Sequence, residues 1–184
     1  MGKKPGRKAF KGLAPKGYRI RMMEPGEADS LLAIRQEAAT RPPEPSNEIP
    51  AEPSTLPDFV RFLLSHEIFV AAAKRDGQPV GYAAAQERGD LYWLADHRVL
   101  TPHRGRGIAS ALIAAVTQRA RWFDHRAVGI PATVDNCRQA ALYERNGFIT
   151  VSRKRHPAIL ANQRVDEMLE EAGIDAQRVL IKWL

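Results

Sequence analysis

A run of alternating arginines and glycines, R-G-R-G at residues 104–107, stands directly before an apolar stretch with helical periodicity. Glycine permits a positive φ and lets the backbone approach a ligand closely. The unpaired amides at a helix N-terminus carry partial positive charge, and arginine adds full charges that suit phosphate. The run therefore predicts an anion cradle whose ligand is a phosphate or pyrophosphate group.

Two other phosphate-binding motifs do not match this run. A P-loop requires Lys and then Ser or Thr after its last glycine, whereas Gly107 is followed by Ile108 and Ala109. The dinucleotide fingerprint requires G-x-G-x-x-G inside a βαβ unit, whereas this run follows a strand that we expect to be antiparallel. A basic turn with a glycine bend and no ligand is the alternative, but the position between a strand and a helix favours the cradle.

The elements before the run follow from its surroundings in the chain. Alternating residues predict a first strand at 18–23, and helical spacing predicts a helix over 26–39. Residues 41–57 are so rich in proline that they predict an exposed loop, and a second helix follows at 57–65.

Two turn signals divide the middle of the chain. Asp76-Gly77 and Gly89-Asp90 each stand between apolar runs, which predicts three antiparallel strands joined by hairpins. Helical periodicity then covers residues 107–123, and the apolar run at 127–134 predicts a strand.

The last third predicts two more helices and two more strands. The helices cover residues 136–147 and 157–173, and the strands follow each of them. Hairpins followed by βαβ crossovers predict an α+β fold in three layers, with a mixed, mostly antiparallel central sheet and helices on both faces. We expect a single domain over residues 18–184, in which the helix near 157–173 is an addition.

The composition indicates a globular protein with an excess of positive charge. The 184 residues carry a formal net charge of +7, which favours anionic partners. Residues 1–17 contain no acidic residue and predict a disordered basic arm. The basic residues of this arm are Lys3, Lys4, Arg7, Lys8, Lys11 and Lys16.

The sequence also bears on compartment and metal content. It has no apolar run long enough to span a membrane and no apolar stretch typical of a secretory signal. Cys137 is the single cysteine, so an internal disulfide is excluded and a reducing cytoplasm is expected. The histidines lack ligand-like spacing with Cys or Asp, which predicts no metal site.

At two places the sequence resembles the GNAT superfamily of N-acetyltransferases. Residues 104–109, R-G-R-G-I-A, match its R-x-x-G-x-G/A signature, and Val99 stands where the family usually has a valine. Residues 136–148 are similar to its N-x-x-A-x-x-L-Y-x-x-x-G-F segment, although Gln139 replaces the usual alanine. The resemblance covers roughly residues 18–153, and the element order is also similar.

The resemblance implies acetyl-CoA as cosubstrate and direct attack of a primary amine on its thioester. The loop amides would hold the pyrophosphate, and the backbone of Val99 and Leu100 would pair with the pantetheine arm. Tyr143 matches the family's general acid by position, although a core aromatic beside Leu142 is the alternative. The implied cofactor-binding residues are Val99, Leu100, Arg104, Gly105, Arg106, Gly107, Ile108, Ala109 and Asn136.

The amine must also lose a proton before it can attack. Glu87, Asp96 and His97 precede the loop, and strand alternation puts Asp96 and His97 on opposite faces of their strand. A chain of water molecules is a fourth route, and the sequence does not choose among them.

Three functions stay open at this level. The first is acetylation of a small-molecule or protein amine by a monomer or homodimer. The second is an RNA-directed enzyme, similar to toxins that acetylate aminoacyl-tRNA, for which the basic arm would contact phosphates. The third is a non-catalytic CoA-binding regulatory domain, which the presence of Tyr143 and the complete loop disfavour.

Overall fold

The computed structural model describes residue 10 and residues 12–39, 55–131, 139–152 and 178–184. The elements follow one another in the expected order, and the turn before the third helix is a single 3-10 turn. The helices are α1 (Ala28–Ala39), α2 (Leu56–Leu64), α3 (Ile108–Trp122) and α4 (Ala140–Arg145). The strands are β1 (Tyr18–Met22), β2 (Glu67–Ala73), β3 (Pro79–Arg88), β4 (Leu91–Val99), β5 (Ala127–Pro131), β6 (Ile149–Ser152) and β7 (Arg178–Trp183).

The first four strands lie side by side in chain order. β1 pairs antiparallel with β2, and β2 pairs antiparallel with β3. Gly77 and Gly89 have φ values of 78° and 58°, a conformation that suits the tight turns between β2, β3 and β4. Both predicted hairpins are confirmed.

The remaining strands make the sheet mixed. β5 pairs in parallel with β4 after the α3 crossover, and β7 inserts between β5 and β6 with antiparallel pairing on both sides. The seven strands lie in the order β1-β2-β3-β4-β5-β7-β6. The predicted α+β class with a mixed, mostly antiparallel sheet is therefore confirmed.

By their contacts, the residues form two compact units. The described part of the first unit consists of residues 10, 12–39, 55–85 and 96–116, and its core packs α1 and α2 on β2 and β3 through Leu31, Phe59 and Tyr82. The second unit contains residues 86–95, 117–131, 139–152 and 178–184 of the described chain. In its core, the Trp93 ring lies over Gly129, where an added Cβ would come within 3.0 Å of it.

The end of the basic arm differs from the expectation of disorder. Phe10 is 4% exposed, and its ring packs edge-on against Phe69 with centroids 5.5 Å apart. Burial of an aromatic ring against a sheet has a lower free energy than its exposure to water. The chain therefore contacts the fold several residues before β1.

Several other expectations lie outside the described residues. These are the arm before residue 10, most of the proline-rich stretch, Asn136 and the helix near 157–173.

Candidate functional site

The R-G-R-G run joins β4 to α3 through a short turn. Thr101–His103 form a 3-10 turn, and Gly105 and Gly107 have φ values of 72° and 80°, which side-chain-bearing residues rarely adopt. An added Cβ at either glycine would meet nothing within 4 Å. The loop therefore needs glycine for its backbone conformation, and it leaves room for a ligand.

The beginning of α3 has the features of an anion site. Ile108 is buried and anchors the helix, and the amide of Ala111 donates the first helical bond to the Gly107 carbonyl at 3.0 Å. The amides of Ile108 and Ala109 lie in the first turn of the helix, whose N–H groups point out of its positive end. Arg104 and Arg106 are exposed beside them. The geometry fits the predicted phosphate cradle.

The turn before the loop is held by three other elements of the first unit. The Leu100 amide donates to the Val80 carbonyl of β3 at 2.9 Å. The Thr101 amide donates to Glu37 Oε1 of α1 at 2.9 Å, and the hydroxyl of Tyr18 in β1 lies 2.9 Å from His103 Nδ1. The sequence alone did not predict that Glu37 and Tyr18 contact this turn, because no spacing rule links them to the loop.

Val99 and Leu100 differ in what their backbone offers a ligand. Leu100 also accepts a bond from the His103 amide at 2.9 Å, so both of its backbone groups are engaged within the chain. The Val99 carbonyl accepts a bond from Nε of the exposed Arg104 side chain at 3.1 Å. The ladder between β4 and β5 ends at Trp93 and Gly129, whereas β4 continues to Val99.

Asp96 lies in a cluster of donors in the first unit. Its carboxylate accepts bonds from the Tyr82 hydroxyl at 2.6 Å, from Arg35 Nη1 at 2.7 Å and from Arg98 Nε at 2.8 Å. Burial and the negative charge of Asp96 raise the pKa of Tyr82, so the phenol keeps its proton. The Asp96 carboxylate is thus held in place by two guanidinium groups and a phenol.

His97 and Glu87 have different surroundings from Asp96. Burial lowers the pKa of His97, against an opposing effect of the Asp96 charge, so the imidazole is neutral at neutral pH. Glu87 belongs to the second unit, where its mostly exposed carboxylate lies 3.6 Å from His125 Nε2.

Tyr143 is a buried residue of the second unit. It is 1% exposed in α4, and its ring packs edge-on against Phe148 with centroids 5.8 Å apart. Its hydroxyl donates to Gln139 Oε1 at 3.1 Å. The helix ends as expected at Asn146-Gly147, where Gly147 has a φ of 83°. The position thus combines packing with an oriented hydroxyl group.

The described part of the chain holds neither a metal-binding cluster nor a membrane-spanning helix. No three His, Cys, Asp or Glu side chains there lie close enough to hold a metal ion. No helix in the same residues has the length and hydropathy needed to cross a membrane.

Solved structures with this arrangement of elements include several acetyltransferases. A GNAT-family acetyltransferase from Staphylococcus aureus Mu50 superposes with a TM-score of 0.64 at 15% identity, covering 91% of this chain and 99% of that one. A GCN5-related N-acetyltransferase from Kribbella flavida gives 0.62 at 21% identity, with 93% and 100% covered. The ribosomal-protein-S18-alanine N-acetyltransferase of Escherichia coli gives 0.57 at 17% identity, with 74% and 82% covered.

Sequence comparison supports the same assignment. No curated protein sequence matches the chain. The profile of the acetyltransferase (GNAT) family matches residues 31–148, which is more than half of the 184 residues. The matched range includes β4, the glycine loop, α3 and α4. The chain therefore belongs to the acetyltransferase (GNAT) family.

Proposed function

We propose that this acetyltransferase transfers an acetyl group from acetyl-CoA to a primary amine by direct attack of the amine on the thioester. The observation that carries the proposal is the loop between β4 and α3. Its glycines at 105 and 107 adopt positive φ beside open space, and the first-turn amides of α3 point out of the positive end of that helix. A pyrophosphate group fits this combination of space and charge.

The residues around the loop divide the binding of CoA among them. The amides at the start of α3 would hold the pyrophosphate, and Arg104 and Arg106 would supply positive charge. Val99 would accept an amide of the pantetheine arm in place of the Arg104 side chain that now occupies its carbonyl. Leu100 is less suited to this role, because its amide donates to the Val80 carbonyl and its carbonyl accepts the His103 amide.

We assign the two proton transfers to Tyr143 and His97. Acetyl-CoA would supply a thioester, whose sulfur needs a proton as the C–S bond breaks and CoA leaves as the thiol. Tyr143 would donate that proton, and its fixed hydroxyl supports this role. His97 would accept the proton of the amine, directly or through water, because its lowered pKa leaves the imidazole neutral. Asp96 is less suited, because Tyr82, Arg35 and Arg98 occupy its oxygens.

The acceptor is a small-molecule or protein amine in this proposal. The similar enzyme from Escherichia coli acts on the alanine of a ribosomal protein, but at 17% identity it supports only a shared fold. A panel of amines is incubated with acetyl-CoA and the protein, and the release of free thiol is measured. The amines that give thiol release identify the acceptor class.

The test of the proposal is CoA binding by calorimetry in the wild type and two variants. Gly107→Asp places a side chain and a negative charge in the cradle, and it should abolish measurable binding. Gly26→Asp is the matched control, because Gly26 also has a positive φ, 86°, and open space around it, but it precedes α1. The control should bind CoA like the wild type. Absence of CoA binding by the wild type would refute the proposal.

A further inference from the structure

The end of α1 contacts the turn that leads into the glycine loop. Glu37 lies in the last turn of that helix, and its Oε1 accepts the Thr101 amide at 2.9 Å. Bonds from the amide and the hydroxyl of Thr101 lower the pKa of Glu37, with smaller effects from the charges of Arg104 and His103. Glu37 is therefore a charged acceptor that reaches across from another element to the backbone of the turn.

The position of Thr101 determines how the chain enters the loop. The Arg104 amide donates to the Thr101 carbonyl at 3.2 Å, so the 3-10 turn transmits any shift of Thr101 to Arg104 and then to Gly105. The other two attachments of the turn lie at Leu100 and His103. Glu37 is the attachment that fixes the residue between them.

A carboxylate at this place would not itself bind a phosphate, because two negative charges repel each other. Its Oε1 accepts the Thr101 amide, on the side of the turn that faces α1. A charge-assisted bond is stronger and more directional than a neutral one, and it therefore suits a holding role.

We propose that Glu37 is a positioning residue for the cofactor loop, which holds the Thr101–His103 turn so that the amides at the start of α3 meet the pyrophosphate of CoA. This role rests on the proposed function. It adds α1 to the elements that determine cofactor affinity, and it predicts that Glu37 affects the binding of CoA without touching it.

The test compares three variants of the full chain by calorimetry with CoA. It also compares their steady-state kinetics with an acceptor that the amine panel identifies. Glu37→Ala should raise the Kd for CoA and the KM for acetyl-CoA by about three- to tenfold, which corresponds to the typical net contribution of one exposed hydrogen bond. Glu37→Gln keeps an acceptor oxygen and should recover most of this loss. Gln36→Ala, one residue earlier on an exposed part of α1, should behave like the wild type.

Other results would overturn the role. If Glu37→Ala binds CoA as tightly as the wild type, Glu37 does not position the loop. A fall in kcat at saturating acetyl-CoA together with a lower Tm, with no change in Kd, would assign Glu37 to general packing instead. If the wild type itself binds no CoA, the proposed function fails first and this role fails with it, so the two failures are distinguishable.

Discussion

At the scale of single residues, hydrogen-bond partners separate the groups that can exchange protons from those that cannot. Asp96 has three donors on its carboxylate, whereas the Tyr143 hydroxyl donates to the neutral side chain of Gln139. A hydroxyl bonded to a neutral amide can turn to a new partner more readily than a carboxylate held by two guanidinium groups can. The proposed role of Tyr143 as the acid rests in part on this difference.

Substitution of Tyr143 by phenylalanine should separate acid catalysis from packing. Phe keeps the ring against Phe148 and removes only the hydroxyl, so kcat should fall by about 10²-fold or more while the Kd for CoA stays nearly constant. Stopped-flow or steady-state rates and calorimetry measure the two quantities. Equal losses in Tyr143→Phe and Tyr143→Ala, each with a lower Tm, would show that Tyr143 serves packing only.

The lowered pKa of His97 predicts how stability varies with pH. The unfolded chain binds a proton near the ordinary value of 6.5, whereas the folded chain binds it only at lower pH. The contribution of His97 is therefore fully present above 6.5, and it is lost as the pH falls from there through the folded pKa. In urea unfolding, the free energy of unfolding should fall less between pH 7.5 and pH 5.5 in His97→Gln than in the wild type.

The same variant also tests the proposed base. If His97 accepts the amine proton, His97→Gln should lower kcat and remove the ionisation on the acidic side of the pH profile of kcat. Asp96→Asn should keep that ionisation. An unchanged pH profile of kcat in His97→Gln would favour the water-mediated route. The substitution would then change only the pH dependence of the free energy of unfolding.

At the scale of elements, the approach of β3 to the end of β4 determines where the loop begins. An added Cβ on Gly81 would lie 2.7 Å from the Arg98 carbonyl oxygen and 3.1 Å from Val99 Cγ2. No side chain fits at that distance, because the nearest atom belongs to the backbone. Gly81 thus permits the close contact that places Val99 and the following turn.

Alanine at position 81 should therefore damage both the fold and the site. We expect Gly81→Ala to lower the free energy of unfolding by about 1–3 kcal/mol, which is typical of overpacking, and to weaken CoA binding as Val99 moves. Gln78→Ala on the same hairpin is the control, because the Gln78 side chain is exposed. Chemical denaturation and calorimetry measure the two effects, and wild-type values in Gly81→Ala would contradict this account of the strand contact.

At the scale of the whole molecule, the net charge of +7 is concentrated in part at the N-terminal end of the chain. Phe10 separates this region into two parts, because it is buried against Phe69 while four of the six basic residues precede it. Removal of the charge and removal of the aromatic anchor can therefore be tested independently.

Deletion of residues 1–9 should leave Tm and CoA affinity nearly unchanged. For a small acceptor, activity should also survive, because the field of the arm is screened beyond about 10 Å at moderate salt. For an RNA-borne amine, deletion should weaken acceptor binding and flatten its salt dependence, which is about −0.7 to −0.9 in log affinity per phosphate contact. Activity assays between low and high salt distinguish these outcomes, and a salt-sensitive loss would move RNA to first place.

Phe10→Ala is the companion variant for the anchor. Loss of a buried phenylalanine should lower stability by roughly 3 kcal/mol, whereas the charge of the arm stays the same. Thermal unfolding measures the change. A wild-type Tm in this variant would show that the contact with Phe69 contributes nothing to the fold.

The sequence by itself determined the element order and the place of the cradle. Local rules fix both, because Asp76-Gly77, Gly89-Asp90 and Asn146-Gly147 mark turns through short-range backbone preferences. The R-G-R-G run likewise predicts a phosphate ligand through residue types that act within one loop. The burial of Phe10 escaped these rules, because an isolated aromatic residue in a basic stretch has no periodicity to indicate a partner.

Only the tertiary structure decided which groups around the cradle are available to bind a ligand or exchange a proton. The bond from Glu37 to Thr101 and the closure of Leu100 onto Val80 join residues far apart in the chain. Two of the three donors on Asp96 also come from other elements, Arg35 from α1 and Tyr82 from β3, whereas Arg98 lies on its own strand. Strand alternation could place Asp96 and His97 on opposite faces, but it could not show that the carboxylate has three donors or that burial lowers the pKa of the imidazole. Protonation and availability depend on burial and on neighbours brought together by folding, and these are not encoded in local spacing.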